Sequence, residues 1–368
     1  MALVLSGVNY HVDNEVYLQD VNLRFEPGTI NVLLGRTRAG KTSLMRVIAG
    51  LEKLSSGSIS LGGKEITNTS IQKRNISMVY QQFINYPNMT VAENIASPLV
   101  LAKRPKREIE ERVQETASLL HISDYLSRYP LELSGGQQQR CAMARALVKD
   151  ADIVLFDEPL ANLDYKLRET LRSELKTLFE QRKCVAIYAT TEAHEALALG
   201  GTTTLLHQGR VLQSGSALQQ YSQPVDTHAA DLFHEPSLNF FSGKVAQDRL
   251  DCLGQSISIK EIIHLRDLAD GEYRFAVRPD QVNVGSPQIA TTPVLHASAR
   301  VELAEIGAAE TYVHTQNEHI SWVVVLRGIH PMSGQTPIEL YFEARNLMAF
   351  DADGKAIAWP LTPSESAK

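Results

Sequence analysis

The sequence predicts an α/β domain built on a mainly parallel sheet, followed by a small all-β domain. Short β-rich runs alternate with helical patterns up to about residue 230, which is typical of parallel strands covered by helices. After about Asn239, alternating β-branched runs are broken by Gly, Pro and Asp instead. The length of 368 residues predicts two or three domains at about 150 residues each. We therefore expect one domain at 1–236 and a second at 237–368.

The central elements of the first domain are predicted to be a strand, a loop and a helix that follow one another in the sequence. Ile30–Leu34 is expected to be a short buried strand, Gly35–Gly40 a loop and Thr42–Ala49 a helix. Two further apolar runs, Ile153–Phe156 and Val185–Ala189, are expected to be buried strands as well. Between them, leucines at spacings of three and four predict an amphipathic helix. These leucines are Leu167, Leu171, Leu175 and Leu178.

Two regions depart from the alternation of strands and helices. The segment at about 82–133 is predicted to be a helix-rich insert, with an apolar stripe that includes Ile109 and Val113. The second domain is predicted from a series of alternating runs. These runs are Tyr273–Val277, Val294–Leu303, Glu310–Thr315, Ile320–Leu326 and Ile338–Phe342.

The composition narrows the class of protein. Hydrophobic residues make up 43% and charged residues 21%, which excludes a disordered or collagen-like chain. With 36 basic and 42 acidic side chains the net charge is −6, so no nucleic-acid partner is expected. Cys141, Cys184 and Cys252 are too scattered for a disulfide framework or zinc site and are expected to be reduced. No signal peptide is expected, and no apolar run nears the roughly 18 residues that span a bilayer.

A phosphate-binding loop is the strongest motif in the sequence. The pattern G-x-x-x-x-G-K-[ST] is met by Gly35, Arg36, Thr37, Arg38, Ala39, Gly40, Lys41 and Thr42, and Ser43 follows. The backbone N–H groups of such a loop and the helix N-terminus bind a β-phosphate. Lys41 is predicted to reach the β- and γ-phosphates, and Thr42 to hold Mg²⁺ through its hydroxyl.

Two carboxylates follow a buried strand. Asp157 and Glu158 end the apolar run from Ile153, which places them at the carboxyl edge of the sheet where ligands bind in open α/β folds. Asp157 is predicted to bind Mg²⁺, directly or through water. Glu158 is predicted to orient and polarise the attacking water.

A third candidate element opens a helix. Leu133 precedes Ser134, Gly135, Gly136 and Gln137, and a Ser followed by two glycines at a helix start is suited to bind an anion. The same residues equally suit an ordinary structural N-cap. Taken alone, the pattern leaves both interpretations open.

In this order, the loop, the LSGGQ segment and the acidic strand end resemble those of the ATP-binding subunits of ABC transporters. The resemblance implies ATP and Mg²⁺ as cofactors, and head-to-tail pairing in which each ATP lies between one subunit's phosphate loop and the other's LSGGQ. Gln81 matches the glutamine that senses Mg²⁺ and couples to the membrane subunit. Ala161–Asp164 matches the segment that crosses the dimer interface, which makes Asp164 a candidate nucleotide-site residue.

Further segments resemble the ATPases of carbohydrate and polyol importers. These segments are Tyr86–Ile95 and Pro159–Arg168, together with Val277–Asp280 and Phe350–Asp351 in the second domain. The resemblance implies a regulatory OB/MOP-like barrel at the C-terminus. It also implies two integral-membrane permease subunits as partners, an extracytoplasmic solute-binding protein acting indirectly, and a place on the cytoplasmic face of the inner (plasma) membrane.

The region just after Gln81 is a candidate docking surface for a permease. In the family this region receives a short cytoplasmic helix of the membrane subunit. Phe83 and Tyr86 provide aromatic side chains suited to such a helix. Ordinary packing between the insert and the sheet is the alternative.

The chain departs from the family pattern after the strand at 185–189. The family has a histidine that hydrogen-bonds the γ-phosphate, and Thr191 stands in its place. Thr191 is shorter and uncharged. His194 is expected to lie on a helix surface instead of replacing that histidine. Loss of one preorganised transition-state donor typically costs about 10²–10³ in rate.

Two further departures lie near the phosphate loop. Val12 stands where the family stacks an aromatic residue on adenine, and Tyr10 or Tyr17 are the candidates to replace it. Arg38 stands where the family usually has a glycine. The arginine is expected to add positive charge to the loop and to strain its backbone. Arg36 replaces a usual proline.

These departures all fall in the half-site that this chain's own loop builds, whereas Ser134–Gln137 is intact. This favours an asymmetric pair with a different ATPase subunit, in which the chain's own site is slow. Glycerol importers of this subgroup are a type with two unlike ATPase subunits, and the chain resembles one of them. A homodimeric sugar or glycerol-phosphate importer ATPase is the alternative.

Two alternatives lie outside active transport. One is a non-transport ABC ATPase, and the net charge of −6 and the β-rich C-terminal region argue against it. The other is a regulatory subunit that binds ATP without turnover, and retention of Lys41, Asp157 and Glu158 argues against that one.

Overall fold

The protein is described by a computed structural model that covers residues 1–82, 84–161, 163–286 and 292–361. The chain divides into two compact units, Met1–Ala217 and Leu218–Lys368. Phe83 and Asn162, which belong to the expected permease-docking and dimer-crossing segments, lie outside the described residues.

The first unit alternates strands and helices as expected. Its strands are β1 (Leu3–Val12), β2 (Glu15–Phe25), β3 (Ile30–Leu34), β4 (Ser56–Leu61), β5 (Lys64–Glu65), β6 (Ile76–Val79), β7 (Ile153–Asp157), β8 (Val185–Thr190), β9 (Thr202–His207) and β10 (Arg210–Gly215). Its helices are α1 (Lys41–Ala49), α2 (Val91–Leu101), α3 (Lys106–Leu119), α4 (Gly135–Leu147), α5 (Tyr165–Gln181) and α6 (Ala193–Leu199).

A six-stranded sheet in the order β10-β9-β3-β8-β7-β6 forms the centre of this unit. The pairs from β9 through β6 are parallel, and β10 is antiparallel to β9. Every residue of β3, β7 and β8 is buried, which explains their continuous apolar runs. Because these strands are parallel, the residues that follow each of them meet at one edge of the sheet. There Gly35 N–H donates to Thr190 O at 3.3 Å and Glu158 N–H to Ala189 O at 3.0 Å.

A four-stranded antiparallel sheet, in the order β2-β1-β4-β5, packs against α1. Leu5, Leu18 and Ile59 of this sheet share one hydrophobic core with Leu44 and Ile48 of the helix. The helix that begins at Lys41 is thereby held between two sheets. This packing fixes the direction in which its N-terminus points.

The helix-rich insert supplies α2 and α3. Thr90 caps α2: its Oγ accepts from Glu93 N–H at 3.2 Å, and its own N–H donates to Glu93 Oε2 at 2.7 Å. The buried amide of Asn94 donates to Tyr86 O at 3.0 Å. Tyr86 is half-exposed, and the guanidinium of Arg145 lies 4.8 Å from its ring centre. The loop before α2 is therefore well anchored.

Arg74 supports the carboxyl end of α1, and its removal is predicted to destabilise the fold. This buried guanidinium donates to five backbone carbonyls: Val47 O, Ile48 O, Ile66 O, Thr67 O and Thr69 O. Arg74→Met is expected to lower the free energy of unfolding by about 3–5 kcal/mol, because Ile48 O, Thr67 O and Thr69 O lose this donor and each buried acceptor left unpaired costs about 1–3 kcal/mol. Equilibrium unfolding in urea measures the change.

The matched control is Arg46→Met. Arg46 lies on α1 itself, but it is half-exposed and pairs with Glu52 at 2.7 Å. Its loss should cost about 0–1 kcal/mol. Equal destabilisation by the two substitutions would contradict the supporting role of Arg74.

The second unit is built almost entirely of strands. These are β11 (Asn239–Ala246), β12 (Arg249–Cys252), β13 (Gln255–Ser258), β14 (Gly271–Val277), β15 (Asn283–Val284), β16 (Val294–Ile306), β17 (Glu310–Gln316), β18 (Ser321–Arg327), β19 (Pro337–Glu343), β20 (Met348–Phe350) and β21 (Ala356–Ala358). Two short helices precede them, α7 (Ala217–Ser222) and α8 (Thr227–Asp231).

The strands of the second unit form two antiparallel sheets around one core. Their orders are β13-β12-β11-β14-β20-β21 and β15-β19-β16-β17-β18. Phe241 and Phe275 of one sheet pack with Trp322 and Phe342 of the other. The side-chain amide of Asn239 joins the sheets by donating to Val323 O at 2.8 Å. The C-terminal region is thus the strand-rich domain that the alternating runs predict.

The division between the units lies earlier than the expected boundary at 236/237. The segment 218–236 bonds to strands near the C-terminus. Thr227 N–H donates to Gly354 O at 2.9 Å, and Ala356 N–H donates to Val225 O at 2.9 Å. These long-range bonds have no signal in the local sequence pattern. Across the described parts of both units, no helix combines the length and apolarity needed to cross a membrane.

Candidate nucleotide-binding site

The phosphate loop connects the centre of the six-stranded sheet to α1. Gly35 follows β3 in a crowded position, where a Cβ would lie 2.5 Å from Leu206 O and 2.8 Å from Ala39 Cβ. Gly40 has φ +105° and would place a Cβ 3.0 Å from Tyr17 O. The two motif glycines are therefore required by packing and by backbone angle.

Lys41 is folded back into the loop that it follows. Its buried Nζ donates to Gly35 O at 2.7 Å and to Arg36 O at 3.3 Å, and it lies 3.4 Å from Glu158 Oε1. Burial lowers the pKa of the Lys41 ammonium, while the carboxylates of Glu158 and Asp157 act in the opposite direction. The lysine is thus held at the sheet edge, next to the predicted catalytic carboxylate.

Asp157 and Thr42 form the predicted metal-binding pair. Burial raises the pKa of Asp157, opposed by the hydrogen bond from Thr42. Its Oδ1 is buried and has no hydrogen-bond partner among the described residues. An unpartnered carboxylate oxygen beside a hydroxyl fits a divalent cation with oxygen ligands, as Mg²⁺ requires.

Glu158 follows Asp157 in a left-handed backbone conformation, with φ +49°. Its Oε1 faces Lys41, and its Oε2 accepts from Gln81 Nε2 at 3.0 Å. The structure therefore brings together Lys41, Gln81 and Glu158, which are far apart in the sequence, at one edge of the sheet.

A cavity of about 760 Å³ opens over these residues. The loop contributes Thr37 through Ser43, the sheet edge contributes Gln81 and Glu158, and the far wall contains Gln208 and Gly209. The two far-wall residues are not among the sequence predictions. Gly209 N–H donates to Ala39 O at 2.9 Å, because β9 pairs with β3 and its end reaches the loop.

The β1–β2 hairpin supplies the remaining wall of the cavity, and it presents Tyr17. Glu15, Val16 and Tyr17 line the cavity, whereas Tyr10 and Val12 do not. The hairpin register explains the difference, because the backbone of Tyr17 lies against Gly40 and Gly209. Tyr10 packs behind Tyr17 at a ring-centre distance of 5.7 Å. Of the candidate adenine platforms, the structure places Tyr17 at the site.

Tyr17→Ala is predicted to raise the Kd for ATP about tenfold, because stacking of a base on an aromatic ring contributes about 1–3 kcal/mol. Tyr17→Phe should keep the affinity, and Tyr10→Ala should leave it nearly unchanged. Titration with a fluorescent ATP analogue measures all three. A larger loss in Tyr10→Ala than in Tyr17→Ala would contradict this assignment.

The LSGGQ residues cap α4 and lie outside the cavity lining. Ser134 Oγ accepts from Gln137 N–H at 3.4 Å, and Gln137 Oε1 accepts from Ser134 N–H at 2.9 Å. Ser134, Gly135, Gly136 and Gln137 do not line the cavity described above. Within one chain they therefore form a capping box, and they make no contact with the cavity at the phosphate loop.

Thr191 lies just after β8 and is exposed. It does not line the cavity. His194 is on α6, with Nε2 3.3 Å from Glu192 Oε2 and 3.5 Å from Arg172 Nη2. The imidazole thus contacts neighbouring side chains of the helix surface. Among the described residues after β8, no histidine side chain lines the cavity.

Arg38 has φ +66°, the left-handed conformation that its family counterpart, glycine, adopts freely. A non-glycine residue in this region costs about 1–2 kcal/mol. Arg36 and Arg38 are both exposed. The loop therefore keeps the expected backbone shape at some cost.

Asp164 caps α5, with Oδ1 accepting from Leu167 N–H at 3.0 Å. Beyond it, Arg168 Nη2 donates to Ala161 O at 3.4 Å and to Leu163 O at 3.3 Å, and Nη1 pairs with Glu192 at 3.1 Å. Arg168 thereby connects the segment around Asp164 to the segment after β8. Only the folded structure shows this connection, because the two segments are separate in the sequence.

Gln139 is a second residue that the sequence does not mark. Its buried Nε2 donates to Pro159 O, immediately after Glu158. This bond ties the helix that follows LSGGQ to the loop that follows the acidic strand end. The sequence does not reveal this role of Gln139, because a glutamine in a helix is usually exposed to solvent.

The loop, the acidic strand end and the capped helix define an ABC-type nucleotide-binding domain. A family model described as ABC transporter matches residues 18–161. An sn-glycerol-3-phosphate import ATP-binding protein of Brucella abortus is 34% identical over 344 residues, covering 93% of this chain and 94% of that protein. A trehalose/maltose import ATP-binding protein of Thermococcus litoralis is 34% identical over 354 residues, covering 92% and 95%. The chain belongs to this family: it is an ATP-binding subunit, with ATPase function, of an ABC importer.

A solved structure is similar in fold to more than half of this chain. It is an ATP-binding cassette in a dimeric post-hydrolysis state, bound to ADP and Pi. The likeness has a TM-score of 0.54 at 28% sequence identity and covers 58% of this chain and 98% of that one. An oligosaccharides import ATP-binding protein of Bacillus subtilis, 30% identical over 348 residues, extends the similarity over 94% of the present chain.

Proposed function

We propose that this chain binds MgATP at the loop after β3 and hydrolyses it to energise uptake of a small carbohydrate or polyol. One observation carries the proposal: Lys41, Thr42, Gln81, Asp157 and Glu158 converge at one edge of the sheet. The import functions in the names of the relatives support the solute class.

The geometry supports a defined role for each side chain. Thr42 and Asp157 would hold Mg²⁺, which supplies charge neutralisation at the phosphates. Lys41 exchanges its loop carbonyls for phosphate oxygens, which releases Glu158. Gln81 Nε2 donates to Glu158 Oε2 and thereby keeps the carboxylate oriented. Glu158 then polarises the attacking water.

The chain requires a second ATPase subunit for a complete site, because its own LSGGQ residues do not line its own cavity. We propose head-to-tail pairing, consistent with the dimeric state of the solved cassette. We further propose two permease subunits in the membrane, indirect action of an extracytoplasmic solute-binding protein, and a position on the cytoplasmic face.

We also propose that the chain's own site is slow and that its partner is an unlike ATPase subunit. Two observations support this: Thr191 holds the histidine position without lining the cavity, and Arg38 holds a left-handed loop position. A homodimer with two slow sites is the competing arrangement.

Steady-state hydrolysis by the purified chain, and by its complex with co-purified permease, tests the proposal. Binding of MgATP with little turnover alone, and solute-stimulated turnover in the complex, is the expected result. Lack of ATP binding would overturn the nucleotide assignment. Vigorous turnover by the chain alone, abolished by Glu158→Gln, would leave the ATPase role intact but overturn the asymmetric pairing. Mass spectrometry of the intact complex identifies the second ATPase subunit directly.

A further inference from the structure

A second cavity lies in the strand-rich unit, well separated in sequence from the nucleotide site. Its volume is about 550 Å³, and its lining comes entirely from the unit that begins at Leu218. Arg278, at the end of β14, and Arg345, at the end of β19, both line it. Two arginine side chains therefore line one cavity in a domain to which no ligand has been assigned.

Arg278 is a buried cation whose protein partners are uncharged. Its side chain is 7% exposed. Nε donates to His234 Nε2 at 3.1 Å, Nη2 donates to Tyr221 O at 3.3 Å, and the guanidinium stacks 4.5 Å from the Tyr221 ring centre. His234 Nδ1 must donate to Ala230 O, 2.8 Å away, so its Nε2 is a neutral acceptor. Burial lowers the pKa of His234 to about 4, in keeping with a neutral ring.

Among the described residues, the charge of Arg278 therefore lacks a counterion. Among the residues that the structure describes, no carboxylate lies within 4.0 Å of this guanidinium, and Nη1 has no hydrogen-bond partner. A buried unpaired charge is costly, and proteins normally pair it or neutralise it. An arginine that lines a cavity and cannot lose its proton is best satisfied by an anion entering that cavity.

The other polar groups of the cavity indicate which chemical class of anion it can bind. Gln281 Oε1 is buried and has no partner in the part of the chain that the structure describes, so it can accept a hydrogen bond from a ligand hydroxyl. His264 is already engaged, since its Nε2 lies 2.8 Å from Leu347 O. Arg345 is half-exposed at the rim and pairs with Glu343 at 2.9 Å. The carboxylate of Glu261 also lines the cavity and disfavours a second negative group.

We propose that this cavity binds a small hydroxylated anion, with its single carboxylate or phosphate ester on Arg278 and a hydroxyl on Gln281. Such a ligand supplies the missing counterion and the missing donor together. The site is independent of the nucleotide cavity and does not depend on the proposed transport function.

Calorimetric titration of the full chain tests the proposal. The protein is first saturated with MgADP, so that the phosphate loop cannot take up the probe. sn-Glycerol 3-phosphate, glycerate and inorganic phosphate are the anionic probes, and glycerol is the neutral one. The expected result is one saturable site for sn-glycerol 3-phosphate or for glycerate, with none for glycerol. The ratio of these two affinities separates a phosphate ester from a carboxylate ligand.

Variants locate the site. Arg278→Met should weaken binding about 10- to 100-fold, because it removes a hydrogen bond to a charged group. Arg345→Glu reverses the rim charge and should weaken binding even if Arg278→Met fails to fold. Arg274→Gln is the matched control, since Arg274 stacks on Phe240 and lines a different cavity of the same domain. Absence of saturable binding by every anionic probe, or wild-type affinity in both cavity variants, would overturn the proposal.

Discussion

Replacement of Glu158 by glutamine is expected to lower kcat for ATP hydrolysis at the chain's own site about 10²- to 10⁴-fold, the usual contribution of a general base. The substitution keeps the shape of the side chain but removes the carboxylate that faces Lys41 at 3.4 Å and accepts from Gln81. Affinity for MgATP should be kept or increased, since one negative charge beside the phosphates is lost. Phosphate release and equilibrium binding measure the two effects separately.

Glu111→Gln is the control for the loss of charge alone. Glu111 lies on α3, is largely exposed and pairs with Arg107 at 2.9 Å. Its replacement should leave both kcat and affinity unchanged. If Glu158→Gln lowered ATP affinity in proportion to kcat, Glu158 would be a binding residue and its assignment as the base would be wrong.

Thr191→His is expected to raise the turnover of the chain's own site about 10- to 10²-fold, by restoring a donor to the transition state. Position 191 follows β8 and is exposed, so an imidazole has room there. The neighbouring Thr190 accepts from Gly35 N–H through its carbonyl, which places position 191 at the sheet edge that holds the phosphate loop. Single-turnover hydrolysis by the complex that contains the second ATPase subunit, compared between wild type and variant, measures the effect.

Two further variants keep this prediction specific. Thr191→Val removes the hydroxyl at constant shape and should change little, because Thr191 does not line the cavity. His194→Ala should also change little, because that imidazole contacts Glu192 and Arg172 on the helix surface. A marked loss of turnover in His194→Ala would show that His194 serves the site after all, and the slow-site proposal would then fail.

The local elements of the nucleotide site could be predicted from the sequence. β3 has the predicted bounds Ile30–Leu34, and α1 begins at Lys41, one residue before the predicted start. Buried parallel strands have continuous apolar runs, and the loop has its glycines where packing and backbone angle demand them. Both signals lie within a few consecutive residues, which is why they can be read without a structure.

Features that depend on contacts between distant segments could not be predicted in this way. The division between units falls after Ala217 because 218–236 hydrogen-bonds to strands near the C-terminus. Tyr17, and not Tyr10 or Val12, lines the nucleotide cavity because of the hairpin's register against Gly40 and Gly209. Arg278 appears in the sequence only as part of a family landmark, and its lack of a counterion among the described residues is visible only once its surroundings are known.

The chemistry that this protein can perform could be predicted from residue types and their order. A phosphate loop, an acidic strand end and an LSGGQ segment indicate ATP hydrolysis. Which of these groups meet within one chain is visible only in the folded molecule. Lys41, Gln81 and Glu158 converge because parallel strands end at a common edge, whereas Ser134 and Gln137 cap a helix outside that cavity. The physical reason is that motifs are set by neighbouring residues, but a site is set by the packing of strands and helices distant in sequence.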